Sequence, residues 1–192
     1  MDPLPDILVP DLDILFVGLN PGVTSSRSGH HFGFPKNSFW ECLYKSGLTD
    51  RALTREEDIL LPSEYNYGLT NLVERPTISS KGLSRQEMKD AVPSLYAKIA
   101  SFKPKIACFL GKQLSETILN RKVDFGLQEI SIPDCETWIF VCPSTSGLAT
   151  NLTKVQKIAI FQDLLFCLEF LKSALDTPLA EPQKVHLDFR QA

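Results

Sequence analysis

The sequence predicts an α/β protein, a three-layer α/β/α sandwich around a central, mainly parallel sheet of four to five strands. Short apolar runs at 13–18, 105–110 and 137–142 lack strict alternation, the pattern of strands buried on both faces. Helical periodicity lies between those runs. Strands alternating with helices give a sheet covered on both sides. At 192 residues, the apolar content suffices for a single domain with one core, expected over 1–176.

Residues 1–12 carry three prolines and little periodicity, so a lead-in segment is expected there. The run 13–18 is the first strand. Residues 37–46 place Phe39, Leu43 and Tyr44 near helical spacing. A shorter strand candidate covers 67–73. Ser84 with Glu87 makes a capping box. Pro93 follows inside the same helical pattern, and proline removes a hydrogen bond and clashes with the preceding turn, so two helices or a restart near 92 are expected. After the strand at 105–110, residues 127–132 are a possible fifth strand, and 137–142 is the last of the three main runs. Residues 153–175 form the longest helix, with Val155, Ile158, Phe161, Leu165, Leu168 and Leu171 on one face and Asn151 or Thr153 as its N-cap. The tail 177–192 is polar and proline-containing, and partial disorder is expected in it.

Composition excludes several classes. No run approaches 18 apolar residues and no signal peptide opens the chain, so a soluble, non-secreted protein without a membrane role is expected. Five cysteines are scattered without a CxxC pair, and three histidines lack metal spacing, so neither a metal nor a disulfide framework is expected. A net charge of −3 argues against non-specific nucleic-acid affinity, although it allows a small local basic surface. A small-molecule nucleotide binder would carry a GxGxxG or P-loop fingerprint, which is missing.

Two polar turns follow two core strands. The first run ends in Gly18-Leu19-Asn20-Pro21-Gly22, and the last enters Pro143-Ser144-Thr145-Ser146-Gly147-Leu148-Ala149. Each has a plain reading, as a tight Asn-Pro-Gly bend and as a Ser/Thr-rich helix cap. In a parallel sheet, however, both turns fall on the carboxyl edge, where ligands bind. Phe32, between His31 and Gly33, has no periodic neighbours and is suited to stacking a flat ligand. Asn71 ends the 67–73 strand and is a candidate base reader, while Glu74 and Arg75 suit a surface pair.

With these residues assembled, the chain resembles the mismatch-specific uracil and thymine DNA glycosylase family, over roughly residues 7–172. GLNPG and PSTSGLA are similar to its two principal motifs, and GHHF…PKNSFW and TNLVERPT to its intervening segments. The resemblance implies a monofunctional enzyme, without cofactor or metal, that flips uracil or thymine out of G·U and G·T mispairs in double-stranded DNA and leaves an abasic site. Asn20 falls on the catalytic, water-holding position. Phe32, Asn71 and Leu19 fall on base-binding positions, and Ser25 and His31 where the pyrimidine 5-position is sensed. Leu148 falls on the wedge, Gly147 and Ala149 face the widowed guanine, and Gly22, Ser144 and Ser146 hold phosphates. A monomer in the nucleus is expected. Two departures matter: Leu148 and Thr150 stand where some relatives carry arginine. Alternatives are a broader uracil glycosylase acting on A·U or single strands, and a non-catalytic mismatch-binding module.

Overall fold

Five strands form the sheet that the apolar runs require, as seen in a computed structural model that describes residues 3–130, 132 and 135–176. They are β1 (Ile14–Gly18), β2 (Tyr67–Asn71), β3 (Ile106–Leu110), β4 (Gly126–Gln128) and β5 (Trp138–Cys142). Their order is β2-β1-β3-β5-β4. Pairings among β2, β1, β3 and β5 are parallel, and β4 closes one edge antiparallel to β5. The expected fifth strand exists, but it begins at Gly126 and is only three residues long.

Side chains of successive strand residues enter opposite layers, as a period of two demands. Ile14, Phe16, Ile106, Cys108, Phe140 and Cys142 pack into one core with α2 (Phe39–Ser46) and α6 (Lys154–Asp176). Leu15, Val17, Ala107, Phe109, Ile139 and Val141 pack into the other with α4 (Arg85–Phe102) and α5 (Lys112–Leu119). Burial of a side chain of this size contributes about 1.5–3 kcal/mol, so both layers are needed to order the sheet. Two short helices, α1 (Val23–Ser28) and α3 (Leu61–Tyr65), are the remaining α-helices among the described residues. The sequence patterns did not announce α1, α3 or α5.

Three expectations are corrected. Helix α4 runs unbroken through Pro93 instead of restarting. Pro93 and Lys89, whose carbonyl loses its partner, are both exposed, so water can replace the missing bond while buried Met88, Leu95 and Ile99 anchor the helix. Val155 is 76 % exposed, outside the buried face of α6, which carries Phe161, Leu164, Cys167, Leu168 and Leu171. Glu74 and Arg75 do not pair with each other. Arg75 makes a forked pair with Glu87 at 2.8 and 2.9 Å, and Glu74 faces Lys98 at 3.4 Å. Ser84 and Glu87 do form the capping box, and Thr153 is the residue that bonds the first turn of α6. The tail 177–192 lies outside the described residues.

The lead-in segment is structural. Ile7 exchanges two backbone hydrogen bonds of 2.9 Å with Leu69 of β2. Gly68 permits that approach, since a Cβ there would stand 2.9 Å from the Ile7 carbonyl.

Candidate active site

Because the parallel strands are in register, they end together. Gly18 pairs with Asn71, and Leu110 pairs with Cys142. Strand order also reverses at β1, whose neighbours β2 and β3 lie on either side, and such a switch point opens a crevice at the carboxyl edge. A cavity of about 650 Å³ lies there. It is bordered by Leu19, Asn20, Gly22, Ser25, His31, Phe32, Asn71, Ser144, Ser146, Leu148 and Ala149. The structure thus brings together every predicted site residue except Gly147, which borders a smaller cavity behind the second loop, over Lys36.

The turn after β1 is laced to the turn after β2. Leu72 N–H donates to Gly18 O (2.9 Å), Val73 N–H to Leu19 O (3.0 Å), Thr77 N–H to Pro21 O (3.1 Å) and Val23 N–H to Thr77 O (3.3 Å). Asn20 sits inside this lacing. Its amide nitrogen donates to Thr77 Oγ1 (2.7 Å), Arg75 O (3.0 Å) and Pro21 O (3.2 Å). Two of those acceptors are carbonyls, which can only accept, so the amide orientation is fixed. The nitrogen is spent on the protein, and the oxygen remains to accept from a water. Thr77 escaped the sequence reading, since a threonine after Arg-Pro carries no signal of its own. Arg75, held by Glu87, ties this loop to the start of α4.

Phe32 has φ of 51°, a conformation that is costly for a bulky residue and persists only where neighbours enforce it. Here they do. His31 N–H donates to Asp58 Oδ2 (2.8 Å), His30 Nδ1 lies 3.1 Å from Asp58 Oδ1, and Gly33 N–H donates to Ser25 Oγ (2.8 Å). The Arg55 guanidinium donates to Gly33 O. The Phe32 ring stacks on Phe39 at 3.9 Å, so one face is supported by the core. Asp58 and Arg55 were not foreseen, because they belong to a separate 3-10 helix, Arg55–Leu60, 22 to 28 positions further along.

Asn71 is buried and approaches Phe32 across Gly18. A Cβ on Gly18 would lie 2.5 Å from Asn71 Oδ1 and 3.7 Å from Phe32 Cε1. The amide of Asn71 has no hydrogen-bond partner among the described residues, so both its donor and acceptor are available to a ligand edge. His31 is only 2 % exposed, with Nε2 at 2.9 Å from Pro5 O. Burial pushes its imidazole below the ordinary value, against the opposing pull of the Pro5 hydrogen bond. It is therefore neutral at neutral pH and Nε2–H is the donor.

In the second loop, Ser146 N–H donates to Ser144 Oγ (3.4 Å) and Leu148 N–H to Ser146 Oγ (3.3 Å). Each serine hydroxyl accepts within the loop and keeps its own proton for an external acceptor. Leu148 is 72 % exposed at the rim. Ala149 is engaged at both backbone groups: its N–H donates to Ser146 O (3.0 Å), and its carbonyl accepts from Lys157 Nζ (2.9 Å) and keeps one lone pair. Burial pushes that lysine below the ordinary ammonium value. Lys157 is a further residue without a sequence signal, being a buried cation on the inner face of α6.

No group of three or more metal-ligating side chains occurs among the described residues. Residues 5–165 match the family model described as the Uracil DNA glycosylase superfamily. The chain belongs to the uracil DNA glycosylase superfamily. Among solved structures, it is similar to a solution NMR structure described as a "putative Uracil DNA glycosylase" from Methanosarcina acetivorans. The identity is 17 %, covering 88 % of this chain and 98 % of that one, with a TM-score of 0.54. That likeness supports the glycosylase fold, a mostly parallel five-stranded sheet flanked by helices. Superfamily membership implies a hydrolase of the DNA glycosylase kind.

Proposed function

We propose that this protein excises uracil or thymine from G·U and G·T mispairs in duplex DNA by hydrolysis of the N-glycosidic bond, leaving an intact abasic site and so initiating base excision repair. The observation that carries this reading is the fixed amide of Asn20, whose oxygen is left for a water at the mouth of a cavity with an aromatic wall and a free amide. A glycosylase must extrude its target, at a cost of about a few kcal/mol that is smallest at a mispair. The exposed face of Phe32 receives the flipped ring, and such stacking is worth roughly 1–3 kcal/mol. Asn71 bonds the polar edge of the pyrimidine. Leu148 fills the vacated space, as apolar wedges do elsewhere. Ser144 and Ser146 hydroxyls and the exposed turn at Gly22 contact phosphates.

An amide is no useful general base at neutral pH, so Asn20 works by holding water in line with the anomeric carbon. Bond breaking then depends on the leaving ability of the base and on donors that stabilise its developing charge, chiefly the Asn71 amide. A slow enzyme that favours electron-poor pyrimidines follows.

A second reading, a broader uracil glycosylase, is favoured by one feature. The Ala149 N–H is used internally, its carbonyl already accepts from Lys157, and Gly147 borders the cavity behind the loop, so few backbone groups are left to face a widowed guanine. Excision from G·U, G·T, A·U and single-stranded uracil, followed by alkaline strand cleavage, separates the readings. Preference for the G-containing mispairs supports the first, and equal rates on all uracil substrates support the second. An uncut G·U strand refutes both.

A further inference from the structure

We infer that Leu4, held in place by the segment 5–7, is a wall of the base cavity and sets which 5-substituted pyrimidines enter; this rests on the base-excising reading above. The segment is pinned by four independent contacts. Pro5 O accepts from His31 Nε2 (2.9 Å). Asp6 accepts from Thr70 Oγ1 (2.7 Å) and pairs with Lys98 (2.7 Å). Ile7 pairs with Leu69. These contacts hold Leu4 at 6 % exposure, where it borders the cavity alongside His31.

The chemistry of the wall selects what faces it. The His31 ring nitrogen is turned to Pro5, so this end of the cavity presents no free donor from that atom, and Leu4 adds an apolar side chain. A pyrimidine carries oxygen or nitrogen at positions 2, 3 and 4 and its sugar at N1. Its only apolar edge is C5–C6, and C6 adjoins the sugar-bearing atom. On this inference C5 points at Leu4 and His31, both of which border the cavity, while the polar edge meets Asn71. A substituent at C5 competes with the Leu4 side chain for the same space. One methylene more or less in an apolar pocket is worth roughly 10–200-fold in rate between substrates. The anchoring contacts matter because a mobile wall could yield to the substituent; the hydrogen bonds to Thr70 and His31 and the ion pair to Lys98 hold it in place.

The test uses the full chain and three substrates, a duplex carrying uracil, thymine or 5-ethyluracil opposite guanine. Single-turnover rates are measured for the wild type, Leu4→Val and Leu4→Ala. Each variant's rate ratio of substituted base to uracil is compared with that of the wild type, which cancels the intrinsic leaving ability of each base. The expected result is a ratio that rises in the order wild type, Leu4→Val, Leu4→Ala, by about tenfold or more at alanine. Leu4→Val removes only one methylene and keeps the test open if the alanine variant fails to fold. An active wild type with ratios unchanged in the variants overturns the assignment of Leu4 alone. A wild type that leaves every substrate intact overturns the base-excising reading and this inference with it.

Discussion

Substituting alanine for Gly18 tests whether the base sits where the geometry puts it. Gly18 does not use the left-handed backbone region, so alanine can adopt its conformation. The new methyl would lie 2.5 Å from Asn71 Oδ1. An ordinary contact is about 3.4 Å, so the amide oxygen must retreat by nearly 1 Å. The obstacle is the far end of a side chain beside a cavity, so the fold should lose less than the about 1–3 kcal/mol typical of an overpacked core. Recognition should suffer more. A neutral hydrogen bond is worth about 0.5–1.5 kcal/mol, and a displacement near 1 Å at a reacting site can cost about a hundredfold. The expected loss in kcat/KM on a G·U duplex is about 10- to 100-fold, with the urea midpoint nearly unchanged. The double variant Gly18→Ala/Asn71→Ala should be no worse than Asn71→Ala alone, because both act through one contact. Wild-type kcat/KM in Gly18→Ala, or additive losses in the double variant, would refute the placement of the base between Phe32 and Asn71.

Other perturbations have equally definite outcomes. Thr77→Val removes one of three acceptors for the Asn20 amide and should lower kcat about 2- to 12-fold with little change in KM; a change confined to KM would show that Thr77 does not act through Asn20. Leu148→Ala should leave the denaturation midpoint unchanged, since Leu148 is 72 % exposed, and should slow excision from paired duplex more than from a bubble; equal losses would count against a wedge. Burial lowers the His31 pKa from 6.5. The unfolded chain therefore binds the proton more readily, and the stability this residue confers is full above pH 6.5 and declines as pH falls toward the depressed value. The midpoint difference between wild type and His31→Gln should shrink below pH 6.5, and a pH-independent difference would contradict a buried neutral imidazole.

The sheet was legible because its strands are buried on both faces, which writes them as unbroken apolar runs. The two turns were legible because a parallel sheet places them on one edge. Pro93 misled because a local rule forbids proline in a helix, whereas solvent at an exposed position supplies the missing partner. Val155 misled because it fits the apolar period but lies just inside the start of α6, where it reaches solvent. Leu4, Asp58, Thr77 and Lys157 were invisible for a common reason. Each acts through a contact to a distant segment, and neither spacing nor composition encodes that contact. Gly18 was quoted within the first motif, yet its role as the gap that admits Asn71 required the register of β1 and β2.

The water-holding role of Asn20 is the central claim, and Asn20→Ala measures it most directly. Single-turnover excision from a G·U duplex and equilibrium binding to the same duplex are determined side by side. Excision should fall by about a hundredfold or more while binding stays within a few-fold of the wild type. Excision near the wild-type rate would contradict the claim, because another group would then be holding the water.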